Sequence, residues 1–339
     1  MPRRTEAVSI AVLGAGSWGT SLAVLLARNG VPTDMWGHDP AHMGRLARDR
    51  ENVEFLPGVP LPESLGLSAD LGAVLARAGD LLLVVPSQFF GQVLERVRPA
   101  LRPGSRVAWA TKGLEPETAR PLHEVVGEHL GLDVPVAVVS GPTFAREVAR
   151  SLPTALTVAS PDEAFARDLA LALHSPTFRV YVSHDLVGVE VGGAVKNVLA
   201  IAAGIADGLG FGANTRAALI TRGLAEMMRL GVAMGGERET LMGLAGLGDL
   251  VLTCTDDQSR NRRMGLTLAR GASVQEAEAA IGQVVEGVGT TREVERVASR
   301  YGAEMPICHA VYRVLYEGLD PREAVRALLA REDAHPERR

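Results

Sequence analysis

The stretch "VSIAVLGAGSWGTSLAVLLARNG" (residues 8–30) decides the fold. An apolar run from Val8 leads directly into "GAGSWG" (Gly14–Gly19), a G-x-G-x-x-G match, and an amphipathic helical pattern follows, closing at Asn29 and Gly30. Strand, glycine turn and helix in that order are the context in which this hexapeptide binds a dinucleotide; without its flanks it would be an ordinary glycine turn. Gly14 permits the tight turn, Gly16 lets the backbone approach a pyrophosphate, and Gly19 lets helix and sheet pack closely. The helix start offers unpaired N–H groups to the negative charge.

Outward from this unit, short apolar runs alternate with helical patterns. "PTDMWG" (32–37), "DLLLVV" (80–85), "RVAWAT" (106–111), "VPVAVVSG" (134–141), "TALTVAS" (154–160) and "FRVYVS" (178–183) read as strands. Near-continuous apolar strands suit a parallel sheet buried on both faces, with the intervening segments as crossover helices. The expected class is α/β, an N-terminal doubly wound sheet followed by an all-helical part. Strand signals stop after Asp185, and beyond it helices are separated by glycine-rich turns such as "GLGFGAN" and "GLAGLGD". The boundary is placed near residue 188, giving a dinucleotide-binding domain over 1–188 and a helical substrate and catalytic domain over 189–339. The final "EDAHPERR" reads as a frayed tail.

The chain has 339 residues and a net charge of -5, with 47% hydrophobic and 22% charged residues. No basic or acidic tail suggests nucleic acid as a partner, so an anionic ligand needs a local basic pocket. Cys254 and Cys308 are too few for a disulfide framework and lack metal-ligand spacing, which fits a reducing cytoplasm and no metal. Arg3 and Arg4 before an apolar stretch imitate a signal peptide, but the glycine spacing argues against one. No apolar run approaches the ~18 residues needed to cross a bilayer, and Lys196 breaks the small-residue stretch at 192, so no membrane span is expected.

Among 35 basic residues lysine occurs only at 112 and 196. Lys112, in "ATKGLEP", directly follows a strand, where doubly wound sheets place their ligands; its compact ammonium suits an anion or a carbonyl. A loop lysine is the plainer reading. Lys196, in "GGAVKN", sits among small apolar residues, and burial would disfavour its charged form and bring its pKa toward working pH for proton transfer. Arginine cannot release a proton this way. A snorkelling or ion-paired helix residue is the alternative. Asn197 lies about 100° round the helix, lining the same pocket or bonding a neighbouring helix.

Asp249 and Thr253 are four apart and share a helix face; Asp249 either pairs with a lysine or caps a helix after "GLG". Ser259 reads as the N-cap of a helix running to Gly271, with Arg260, Arg262 and Arg263 in its first turn. Cations there oppose the helix dipole unless an anion sits at that end, where N–H groups and a bidentate arginine would gather a phosphate. A solvated basic face is the alternative. For the cofactor, the second strand ends at "MWGHDP" without a terminal carboxylate. His38 faces a 2′-phosphate, or His38 and Asp39 merely cap the next helix; the reading leans to NADP(H) over NAD(H).

Taken together, "GAGSWGT", "WGHDP", "ATKGLE", "SGPTFA", "GGAVKN", "GLGDL", "SRNRR" and "GQVVEG", in order along the whole chain, resemble the bacterial-type NAD(P)-dependent glycerol-3-phosphate dehydrogenases. The resemblance implies a Rossmann-like domain plus a helical domain of the 6-phosphogluconate-dehydrogenase type. It implies interconversion of dihydroxyacetone phosphate and sn-glycerol 3-phosphate for glycerophospholipid synthesis, and a homodimer through the helical domain. It makes Lys196 the proton donor and acceptor, with Lys112, Gly141, Thr143, Asp249, Ser259, Arg260 and Asn261 in the substrate pocket and Arg260 on the phosphate. Ser17, Trp18, His38, Ala145, Val284 and Glu286 become cofactor contacts, joined by Lys112 and Arg260, and the "WGHDP" segment matches forms that accept NADPH. Two other readings stay open: a related β-hydroxyacid or 6-phosphogluconate dehydrogenase, and a non-enzymatic dinucleotide sensor.

Overall fold

The computed structural model describes residues 9–330, so Val8 and the "EDAHPERR" tail lie outside the described residues. The elements run β1 (Ile10–Leu13), α1 (Ser17–Arg28), β2 (Thr33–Trp36), α2 (Pro40–Asp49), β3 (Glu51–Asn52), β4 (Leu56–Pro60), β5 (Gly66–Ser68), α3 (Leu71–Leu75), β6 (Asp80–Leu83), α4 (Phe90–Val97), β7 (Arg106–Trp109), α5 (Leu122–Leu130), β8 (Val136–Ser140), α6 (Ala145–Ala149), β9 (Thr154–Ala159), α7 (Glu163–Leu173) and β10 (Phe178–Ser183). Helices follow: α8 (Leu186–Gly208), α9 (Ala213–Ala233), α10 (Arg238–Met242), α11 (Asp249–Thr255), α12 (Arg260–Ala269), α13 (Val274–Ile281), α14 (Glu286–Tyr301), α15 (Pro306–Tyr316) and α16 (Pro321–Ala330).

Eight strands form one sheet in the order β10-β9-β8-β7-β6-β1-β2-β5, a Rossmann-like arrangement in which every neighbouring pair but one is parallel. The exception corrects the expected all-parallel sheet: β9 runs antiparallel to β8. Residues 141–153 between them carry only the five-residue α6. A parallel return needs a full crossover of a dozen or more residues, usually a helix spanning the sheet. The four residues of each of β1, β6 and β7 are fully buried, as strands covered on both faces must be. Helix α1 departs from the expected amphipathic pattern, since every residue from Gly19 to Ala27 is buried. It packs against α6 and α7 as well as the sheet, which leaves no solvent face.

Among the described residues no strand follows β10, and the helical half is organised around α8. Every residue of α8 from Gly188 to Ala206 is buried. Contrary to the sequence expectation, this helix is long and apolar enough to cross a membrane, yet 89% of the relevant window is covered by the rest of the protein, so it is a core helix. Its small residues serve close approach. A Cβ added at Gly204 would stand 2.1 Å from the Arg262 carbonyl oxygen, and one at Gly265 would stand 2.1 Å from that of Ile201. Helices α8 and α12 therefore touch backbone to backbone, which brings the start of α12 beside Lys196. The expected turn "GLAGLGD" is instead a π-helical turn over Leu244–Gly248 that feeds directly into α11. Gly246 is forced there, because a Cβ would lie 2.0 Å from the Leu241 carbonyl oxygen.

Candidate active site

Two clefts meet at the carboxyl ends of the central strands. The larger, about 980 Å³, lies over the turn after β1; the smaller, about 610 Å³, opens between the sheet and the helical half. Ser17, Trp18, Arg260 and Glu286 line both. Gly14, Gly16, Gly19, His38 and Val284 line only the first. Lys112 and Ala145, expected at the cofactor, line only the second, together with Thr143, Lys196, Asn197 and Asp249. Thr253, Ser259 and Asn261 complete that wall. Gly141 stands behind it, its carbonyl accepting from Lys112 Nζ (3.1 Å) and the Thr143 hydroxyl (3.2 Å).

The glycine turn separates into two roles. Gly14 has φ +132°, and a Cβ there would stand 2.3 Å from the Val84 carbonyl oxygen, while one on Gly19 would stand 1.9 Å from that of Gly14. Those two are fixed by the protein's own packing. A Cβ on Gly16 would meet nothing within 4 Å, so this glycine borders the open cleft. The first turn of α1 presents free N–H groups to the same space. The cradle thus fits a dinucleotide pyrophosphate. Gly16→Ala is expected to keep the melting temperature but weaken NADPH binding by about tenfold in a fluorescence titration, whereas Gly19→Ala should unfold at lower temperature.

Beyond β2, the Asp39 carboxylate is occupied as the N-cap of α2, accepting from Ala41 N–H at 2.9 Å. His38 is exposed on the first cleft, near His42, Arg45 and Arg96, with Arg96 lying 4.9 Å over the Trp36 ring. Arg45 pairs with Glu54 at 3.2 Å.

The only two lysines of the chain converge on one carboxylate. Lys112, just past β7, donates to Asp249 Oδ2 (2.5 Å), and Lys196, from the middle of α8, donates to Asp249 Oδ1 and to Thr253 Oγ1, both at 2.9 Å. Asp249 is the first residue of α11 and Gly248 holds the cap position, so the helix-cap reading of Asp249 is wrong: its carboxylate turns inward. Lys196 is 7% and Asp249 1% exposed. Burial pushes the Lys112 ammonium down to about 8, helped by the Lys196 charge and opposed by Asp249. Burial alone would raise Asp249, but the two ammoniums outweigh it and hold the carboxyl below its usual range. Each ammonium has three donors; each spends two on the protein and keeps one for the cleft.

Asn197 does both things foreseen for it. Its Oδ1 accepts from Asn261 Nδ2 (2.8 Å), tying α8 to α12, and the residue lines the second cleft, its buried Nδ2 without a partner. Ser259 caps α12 by accepting from Arg262 N–H at 3.2 Å. The three arginines that follow do not all serve an anion, however. Arg262 is taken up by Asp257 (2.9 Å) and Asp207, away from the cleft. Arg260 donates to the Val284 carbonyl at 2.8 Å. Glu286, half-buried at the junction, has its carboxyl raised by burial against the pull of Arg260.

Some of the site was invisible in the sequence. The β3–β4 hairpin brings Phe55 to both clefts, pinned by Asn52, whose Nδ2 donates to the Ala15 carbonyl (3.0 Å) and to Thr20 Oγ1 (2.7 Å). Helix α14 holds the Lys112 loop from one stripe. The Leu114 N–H bonds the Glu293 carboxyl, Arg296 donates to the Pro116 and Glu117 carbonyls (3.0 Å each), and Arg300 donates to that of Thr118 (2.7 Å). Glu293 is buried with one oxygen unpartnered, and burial raises its carboxyl to about 7. Because the folded value exceeds the unfolded one, its contribution to stability is full below about 4.5 and is lost as pH rises through about 7. Glu293→Gln is therefore expected to melt higher than the parent at pH 8 and about equally at pH 5, read by circular dichroism.

Residues 9–166 match the family model for the N-terminus of NAD-dependent glycerol-3-phosphate dehydrogenase, and residues 185–326 match that for its C-terminus. A glycerol-3-phosphate dehydrogenase [NAD(P)+] of Aeromonas hydrophila is 60% identical over 328 residues, covering 96% of this chain and 98% of the relative. The crystal structure of glycerol-3-phosphate dehydrogenase from Coxiella burnetii superposes with a TM-score of 0.93 at 52% identity, covering 96% of this chain and 99% of that one. The glycerol-3-phosphate dehydrogenase of Saccharomyces cerevisiae follows at 28% identity and a TM-score of 0.81, covering 95% and 99%.

Proposed function

Because the chain belongs to the NAD-dependent glycerol-3-phosphate dehydrogenase family, we propose that it interconverts dihydroxyacetone phosphate and sn-glycerol 3-phosphate with a nicotinamide cofactor in the larger cleft. The observation that carries this is the pair of lysines, Lys112 half-buried and Lys196 buried, sharing Asp249 on the wall of the smaller cleft. The cofactor supplies hydride chemistry at the C2 carbon. The chain supplies the rest. Lys196 gives a proton to the C2 oxygen on reduction and takes it back on oxidation. Lys112 and Asp249 orient the carbonyl and keep the Lys196 amine aimed, and Arg260 on the phosphate turns remote binding energy into placement of the reacting carbon.

NADPH is the favoured cofactor. The cap role of Asp39 withdraws from the end of β2 a carboxylate that a ribose 2′-hydroxyl would need, and the imidazoles and guanidiniums of His38, His42, Arg45 and Arg96 suit a 2′-phosphate. Synthesis of glycerophospholipid backbones is the proposed purpose, the cytoplasm the proposed location, and a homodimer through the helical half the proposed assembly, which sedimentation would test. Following NADPH and then NADH absorbance with dihydroxyacetone phosphate tests the reaction and the preference together; activity instead on a non-phosphorylated hydroxyacid would overturn the substrate.

A further inference from the structure

The three arginines in the first turn of α12 differ in what they already hold. Arg262 is satisfied by two carboxylates, and Arg260, lining both clefts, donates to a carbonyl. Arg263 is half-buried, lines only the smaller cleft, and among the described residues has no acceptor for its guanidinium; its Nε is fully buried without a partner. A guanidinium stays charged and cannot shed its cost by losing a proton, so one partly out of water and unpaired is incomplete until an anion arrives. Of the carboxylates on the same wall, Asp257 bonds Arg262, Asp256 accepts from the Gln258 N–H at 2.7 Å, Asp249 holds the lysines and Glu286 feels the pull of Arg260; none bonds Arg263. Independently, Asn197, 2% exposed, lines this cleft and carries a buried Nδ2 without an acceptor.

We propose that Arg263 is a specificity-determining contact for the substrate's phosphate. It lies three residues after Arg260 and so on the same face of α12, and both line the smaller cleft. Arg260 borders both clefts and is shared with the cofactor, whereas Arg263 is reserved for the substrate. A planar guanidinium meets two phosphate oxygens at once, a geometry that a hydroxyl or a single carbonyl does not reward. Arg263 thus sets preference for a phosphorylated over a plain ketone, in deepening of the function proposed above.

The test uses the full-length enzyme, its Arg263→Gln variant and its Arg263→Lys variant, with dihydroxyacetone phosphate, unphosphorylated dihydroxyacetone, and inorganic phosphate as a competitive inhibitor. Arg263→Gln is expected to raise KM for the phosphorylated ketone at least about tenfold, the loss of one charge-assisted contact. It should weaken inorganic phosphate inhibition in parallel, leave the NADPH dissociation constant within twofold, and leave turnover of plain dihydroxyacetone unchanged. Arg263→Lys should recover part of the loss. An unchanged KM, an equal loss on both ketones, or a weakened NADPH affinity with KM intact would each overturn the role of Arg263. A parent enzyme that reduces no dihydroxyacetone phosphate would overturn the functional reading on which this rests, a result separable from the first because it needs no variant.

Discussion

Replacing Lys196 with alanine should lower turnover of dihydroxyacetone phosphate by ~10² to 10⁴, the range lost with a general acid, while NADPH still binds. The amine stands in the middle of a helix whose neighbours are all buried, with two of its three protons committed to Asp249 and Thr253. The third is the one available to a substrate oxygen. Lys196→Arg separates charge from proton transfer: a guanidinium keeps the positive charge but does not release a proton at working pH, so it too should be nearly inactive. Lys112→Arg should be milder, since a carbonyl can be oriented by a cation without proton release. The parent's kcat/KM in the reductive direction should fall as pH rises past about 8, where Lys112 loses its charge and holds the substrate carbonyl less firmly. Near-normal turnover in Lys196→Ala would end the assignment of the proton to this amine.

Much of this arrangement could be read from the chain because each signal was local. Seven sheet strands stood out as apolar runs, the glycine turn carried its own flanks, and the pairing of Asp249 with Thr253 followed from helical spacing. What escaped depends on distant partners. The hairpin "ENVEFLPGVP" (51–60) has neither an apolar run nor alternation, and its hold on the site comes from Asn52 reaching the Ala15 carbonyl 37 residues away. That Arg262 faces away from the cleft and Arg263 into it is decided by Asp207, 55 residues before Arg262. The direction of β9 is set by how little chain joins it to β8, not by its own residues.

Asp249→Ala is expected to cost both activity and stability, because it removes the carboxylate that both Lys112 and Lys196 bond. Breaking a buried pair by deleting one partner typically costs about 3–5 kcal/mol, since the charge left behind remains out of water. Here two charges remain, side by side, bonded among the described residues to the Thr253 hydroxyl and the Gly141 carbonyl. The sign of the pH dependence follows. In the parent, Asp249 is held below its usual range, so its contribution is present above about 3.8 and lost as pH falls through its lower folded value. In the variant that contribution is gone, and Lys112, lowered by burial and by the Lys196 charge, loses the carboxylate that opposed both, so it penalises folding until it deprotonates. The melting-temperature gap between parent and variant should therefore be widest near pH 7 and narrow toward pH 9.5, as Lys112 becomes neutral and no longer repels Lys196. Asp249→Asn, which keeps the shape and one acceptor, should show a smaller gap with the same trend. A gap that stays constant over that range would mean that Asp249 supports the fold through packing rather than through its charge, and that the two lysines do not depend on it.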